Sequence, residues 1–218
     1  GGIGKVLRFG ANSAEVITRL KWFGRVLAPA MKQALQAGGG IDLKAIQSQA
    51  LLMGDELHSR NAAATALFFM HFAVGLAKSP VERPVQHDVL KFIADTSQFF
   101  LNLSMVSAKA IMDSAHGIEA SSIVTATARN GTATAIRVSG LGKTWFAAPS
   151  AMPIGLFFPG FRQEDACPDL GDSAICETAG LGGFSIETED AIPSGSHLVC
   201  IQQGDRWSVT VTAESRHR

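Results

Sequence analysis

Residues 122–149 read SIVTATARNGTATAIRVSGLGKTWFAAP, and this stretch decides the fold class. Two runs rich in Val, Ile and Thr, 122–129 and 132–139, flank Asn130-Gly131. Both turn residues tolerate positive φ, so the pair marks a tight hairpin. Trp145 to Ala148 predicts a third strand that stops before Pro149. Further on, residues 153–183 are dense in Gly, Pro and Asp and read as ordered loops with short elements. Arg206 to Ala213 alternates again around Trp207, Val209 and Val211, which predicts a strand.

The chain upstream of Ala120 has a helical period. Lys5 to Phe9 alternates apolar and basic residues, a short strand signal. Asn12 or Ser13 can then cap a helix that places Val16, Ile17, Leu20, Phe23 and Leu27 at helical spacing. Gly38-Gly39-Gly40 ends it. Asp42 is expected to cap a second long helical region toward Ala77, with Ile46, Ala50, Met53 and Leu57 on one face. Ser79-Pro80 and Arg83-Pro84 break the chain. A third helix is expected from Gln86 to His116, stopped by Gly117. Helices first and antiparallel strands after predict an α+β fold. The regions are a mainly helical part at 1–119, a β-rich part at 120–184, and a tail at 185–218.

Composition narrows the function classes. Apolar residues make up 46% of the 218, enough to bury a sizeable core. Nineteen basic residues balance nineteen acidic ones, so the basic excess of a nucleic-acid binder is missing. Cys167, Cys176 and Cys200 form no CxxC pair, which argues against a zinc knuckle or disulfide framework and for reduced thiols in a cytoplasmic protein. The most apolar run, Ala62 to Ala77, contains His71 and falls short of the roughly 20 apolar residues of a membrane span. It reads as a buried helix. The opening Gly1-Gly2-Ile3-Gly4-Lys5, without an initiator Met, reads as the start of a fragment.

Three polar clusters are candidate sites. The first is MGDELHSRN (53–61). On a helix, Asp55 would share a face with His58 or Ser59, and a carboxylate beside an imidazole suits proton transfer. The alternative is a surface Glu56–Arg60 pair beside a hydrogen-bonded His58. The spacing is not HExxH, so no helical metal pair is expected.

The second cluster lies on the hairpin: Arg129-Asn130-Gly131, then Arg137-Val138-Ser139-Gly140-Leu141-Gly142-Lys143. An arginine among apolar strand positions offers a bidentate fork to phosphate or carboxylate, and the glycines could present backbone N–H groups. A plain tight turn explains the same residues. SGLGK is too short for a P-loop. The third cluster runs from Asp169 to Gly183. Asp172 or Ser173 can cap a short helix that Gly180 or Gly182 ends. Alternatively, the carboxylates here, Glu177 among them, could hold a metal or an amide-bearing substrate. Cys176 reads as a small buried residue. Asn102, within FFLNLSM, reads as a polar amide satisfied in the core or facing a site. No cofactor or metal is demanded by any spacing.

Taken together, GIGKVLRFGA (2–11), MGDELHSRNAAATAL (53–67), FFLNLSM (99–105), the hairpin stretch 122–149, GLFFPGF (155–161) and GDSAICETAGLGGF (171–184) resemble the YlbE-like family. That resemblance implies a subunit of oxamate carbamoyltransferase that works in purine (allantoin) degradation beside a protein subunit of the FdrA type. The implied reaction is phosphorolysis of oxalurate to oxamate and carbamoyl phosphate, or the reverse. It needs a site for small anions, and the matching motifs offer Arg60, Arg129 and Arg137 as cations. Asn61, Asn130 and Ser139 are candidate hydrogen-bonding groups for the amide, Asp172, Ser173 and Glu177 further substrate contacts, and His58 with Asp55 the proton-transfer pair. Family proteins are longer and carry a further N-terminal α/β region, so this chain resembles a fragment of a larger α/β protein. After GLGGF the tail departs from the family pattern. A second reading is a non-catalytic assembly or regulatory subunit that packs against the FdrA-like partner. A stand-alone hydrolase would need a nucleophile–base pair, and none is visible.

Overall fold

The computed structural model describes residues 11–152, 159–172, 174–182, 196–203 and 206–213. The strand expected at Lys5 to Phe9 lies outside them. The fold is α+β, a helical half followed by an antiparallel sheet.

Ser13 caps the first helix, accepting from Val16 N at 3.4 Å. The chain stays helical through α1 (Ala14–Trp22), a π-helical segment (Phe23–Leu27) and α2 (Ala28–Gly38). Gly39, at φ 85°, ends the run, as a left-handed C-terminal residue commonly does. Asp42 caps α3 (Leu43–Leu52) by accepting from Ala45 N at 3.0 Å.

Two helices expected to be continuous are each split. α3 stops at Leu52, and α4 (Ala62–Lys78) starts after a loop at 53–61. Gly54 and Leu57 there have φ of 92° and 66°, a backbone that no α-helix can contain. The Asp55 carboxylate caps the new helix by accepting from Ala64 N at 2.8 Å, where it also meets the positive end of the helix dipole. The second split separates α5 (Arg83–Ala94) from α6 (Phe100–Ser114). Buried Thr65 shapes that break. Its hydroxyl donates to Ser97 O at 2.8 Å and accepts from Phe100 N at 3.1 Å.

α4 lies across the middle of the core. Phe68 stacks on Phe72 and Phe99 with centroids 5.3 and 5.7 Å apart, and Phe100, Leu76, Ile93 and Val89 close around it. Each such side chain contributes roughly 1.5–3 kcal/mol by leaving water. α2 crosses α4 at two glycines. A Cβ on Gly75 would lie 2.6 Å from the Ala34 carbonyl oxygen, so only hydrogen fits there.

β1 (Val124–Asn130) and β2 (Ala133–Val138) form the expected hairpin, and β3 (Trp145–Pro149) adds to β2. A two-residue β4 (Leu170–Gly171) pairs with Arg129 and Asn130, giving the order β3-β2-β1-β4. The short α7 (Ala174–Thr178) packs on both β1 and α6. Cys176 is buried, its thiol facing the Ser104 hydroxyl at 3.8 Å, which in turn accepts from Gln47 Nε2 at 3.3 Å. β6 (Arg206–Ala213) forms where alternation predicts it, paired with β5 (Ser196–Gln203). No helix among the described residues is long and apolar enough to cross a membrane.

Candidate functional site

The loop at 53–61 is built around one carboxylate. Glu56 is fully buried and accepts from Ser59 N, from Ser59 Oγ at 2.5 Å, and from Arg60 N and Nε at 2.8 and 3.2 Å. Burial alone would raise its pKa, but the Ser59 hydroxyl and the backbone N–H groups of Arg60 and Ser59 outweigh burial and hold it below the ordinary 4.5. The expected surface pair is therefore a buried acid gripping a half-exposed arginine. Asn61 is also buried, donating to His58 O at 2.7 Å and to Gln98 Oε1 at 3.0 Å. Gln98 Nε2 reaches back to Ser59 O.

This geometry changes the expected Asp55–His58 pair. Without a helix the two residues do not share a face, and the Asp55 carboxylate is turned to Ala64 N. His58 is half-buried, and the root of its side chain lies against Gly182. A Cβ on Gly182 would lie 3.1 Å from His58 Cβ, and Gly182 N donates to Glu56 O at 2.7 Å.

The third cluster thus meets the first through Gly182, and it meets the hairpin through Arg129. The Arg129 guanidinium donates to Asp169 Oδ2 at 2.9 Å and to Glu177 Oε2 at 2.6 Å. Asn130 works within the turn, its Oδ1 accepting from Thr132 and Ala133 N at 3.0 and 2.7 Å. The half-buried Asp172 accepts from Ile175 N through its carbonyl at 3.1 Å. Ser173 lies outside the described residues.

Arg137 stands apart from that cluster. The register sets Arg129 opposite Thr134 and Arg137 opposite Ala126. With side chains alternating along a strand, the two arginines leave opposite faces of the sheet. Arg137 lies over the Trp145 ring at 5.6 Å, with Asp113 Oδ1 at 3.6 Å from Nη2. Its side chain is 20% exposed, its Nε is buried without a partner, and among the described residues its guanidinium makes no hydrogen bond. Nearby, His116 Nδ1 lies 2.9 Å from the buried Thr125 hydroxyl. The buried Ser139 hydroxyl donates to Ala115 O at 2.5 Å and accepts from Ile118 N at 3.1 Å, joining the end of α6 to the end of β2.

Sequence reasoning passed over Glu56 as an organiser, Gln98 as a tether and Asp113 as the acid facing Arg137. The signal for Asp113 was present as Lys109 and Asp113 one helical turn apart. Among the described residues no group of three or more His, Cys, Asp or Glu is placed to hold a metal ion.

The molecule is thus an α+β segment in which a glutamate-centred loop, a short acidic helix and an arginine-bearing hairpin adjoin. Over residues 1–173 it matches the family described as oxamate carbamoyltransferase subunit AllG. It is 51% identical to the Escherichia coli (strain K12) protein of that name across 85% of this chain and 44% of the relative. It is 44% identical to the uncharacterized protein YahG of the same organism, across 86% of this chain and 40% of YahG. A crystal structure of a conserved protein of unknown function from Enterococcus faecalis V583 superposes with a TM-score of 0.78 at 41% identity, covering 89% of this chain and 47% of that one. The chain belongs to the AllG family. It spans less than half the length of the curated relatives it matches.

Proposed function

We propose that the chain forms part of a carbamoyltransferase subunit acting on oxamate or oxalurate with carbamoyl phosphate or phosphate. It would do so in the cytoplasm, within purine degradation, assembled in a hetero-oligomer with an FdrA-like protein subunit. The AllG name of the 51% identical relative supports the reaction class. The observation that carries the site is Arg137, a largely buried guanidinium on an indole with no hydrogen bond among the described residues. Arginine's planar fork matches a carboxylate or a phosphoryl edge, and partial desolvation strengthens that pairing. In phosphorolysis a phosphate oxygen attacks the ureido carbon. The bond from that carbon to the oxamate nitrogen breaks, and the nitrogen takes up a proton. His58, expected to transfer that proton, lies beside Gly182 and Glu177 on the Arg129 side of the sheet, so it does not serve an anion held by Arg137. Asp55 is committed to α4.

The deciding assay is carbamoyl transfer by an AllG-type subunit assembled with its partner. Arg137→Ala is expected to lower kcat/KM roughly a hundredfold, about 3 kcal/mol. Unchanged turnover removes Arg137 from the site.

A second reading, a non-catalytic assembly or regulatory subunit, has its own support. Arg60 and Arg129 already hold carboxylates. α4, apolar nearly all round, leaves Met70 and Val74 59% and 56% exposed, as a helix face meant for cover would be. Carbamoyl phosphate or oxamate raises the melting temperature only under the first reading.

A further inference from the structure

We propose that Asp113 occupies the Arg137 site as a built-in substitute for the substrate carboxylate, and that a small carboxylate ligand binds by displacing it. This rests on the reading that Arg137 receives an anion. Asp113 projects from the last turn of α6, and its Oδ1 stands 3.6 Å from Arg137 Nη2, too far for a hydrogen bond. A committed ion pair closes to about 2.8 Å, as Arg129 and Glu177 do at 2.6 Å. What holds Asp113 back is Lys109, one turn earlier on α6, whose Nζ takes the other carboxylate oxygen. The carboxylate is therefore near enough to offset the buried cation and too far to satisfy its donors.

Displacement is also open. Asp113 is 48% exposed, so it can turn into water while Lys109 keeps its charge paired. Trp145 flanks the guanidinium and is 46% exposed, leaving a planar approach. With Asp113 turned out, Arg137 can present two parallel N–H donors, which fit a carboxylate better than a spherical anion. Lys109, one turn away on α6, keeps a positive charge at this corner. The ligand class is a small planar carboxylate, and Asp113 sets its affinity by competing for the same guanidinium.

The test is titration of this chain with oxamate at fixed ionic strength, read by calorimetry and by the indole N–H resonance of Trp145. Asp113→Asn keeps the shape and removes the competing charge, so oxamate is expected to bind at least threefold more tightly, with chloride competing more weakly than acetate. Asp113→Ala is the second variant and is expected to act in the same direction. Arg137→Ala is expected to abolish the response. Unchanged or weaker binding in both Asp113 variants, with Arg137→Ala still abolishing it, overturns the substitute role and leaves the Arg137 reading standing. Equal binding by wild type and Arg137→Ala overturns both. No binding by wild type or by either Asp113 variant also overturns both.

Discussion

Arg129 holds two acids from different elements at once, Asp169 at 2.9 Å and Glu177 at 2.6 Å, with only 16% of its own side chain exposed. Removing the arginine strands a shielded carboxylate beside a second negative charge. Breaking such a pair from one side is costly. Arg129→Ala is therefore expected to destabilise the chain by about 3 kcal/mol in urea unfolding. Arg129→Lys should recover only part of this, because an ammonium cannot reach both acids with one planar fork.

The 53–61 loop should respond to acid through Glu56. Its folded pKa is depressed below 4.5. Its contribution to stability is therefore complete above that value and is lost as pH falls through the folded pKa. Urea midpoints measured from about pH 6 down to pH 3 should fall for wild type, and the fall should be shallower in Glu56→Gln. Glu56→Ala, which orphans the N–H groups of Ser59 and Arg60, should cost about 2–4 kcal/mol even at neutral pH.

At Gly75 the usual rule for helices reverses. An exposed helical Gly→Ala change gains up to about 1 kcal/mol. Here the methyl group would lie 2.6 Å from Ala34 O, so α2 and α4 must separate. Gly75→Ala is expected to lower the melting temperature by roughly 4–8 °C, about 2 kcal/mol for a chain of this size. An unchanged melting temperature would show that the crossing is looser than its geometry.

Two cysteines should differ sharply in reactivity. Burial pushes the Cys176 thiol pKa up, and the nearby Asp172 and Glu177 charges add to this against the lowering effect of its bond to Ser104. Cys167 is exposed. Since the thiolate is the nucleophile, iodoacetamide at mildly alkaline pH should label Cys167 within minutes and spare Cys176 until denaturant is added, read peptide by peptide.

These features were unequally legible in the sequence. Ser13, Asp42 and Asn130-Gly131 act through backbone groups two or three residues away, so local reading placed the first two helix starts and the hairpin. The splits at 53–61 and 95–99 escaped because the apolar period runs through both. What breaks the first is a buried carboxylate together with a hydrogen bond from Gly182, more than 120 residues on. What shapes the second is the hydroxyl of Thr65, some 30 residues earlier. The same distance effect governed the candidate site. Arg137 stood out as a cation in an apolar strand, but its distance from Arg129 depends on strand pairing. The helical Asp55–His58 pair failed because the helix that would align them ends at Leu52.

One hairpin thus keeps a neutralised arginine on one side and an unsatisfied one on the other, separated by the thickness of a single pleat. Side-chain sidedness alternates with every residue, so deleting or inserting one amino acid between Ala126 and Arg129 would turn Arg129 away from the face its acids occupy. Asp169 and Glu177 would then lose their cation, while Arg137 and Trp145, direct partners on β2 and β3, would stay together. Homologous chains should therefore conserve the residue count of this ribbon together with its two arginines.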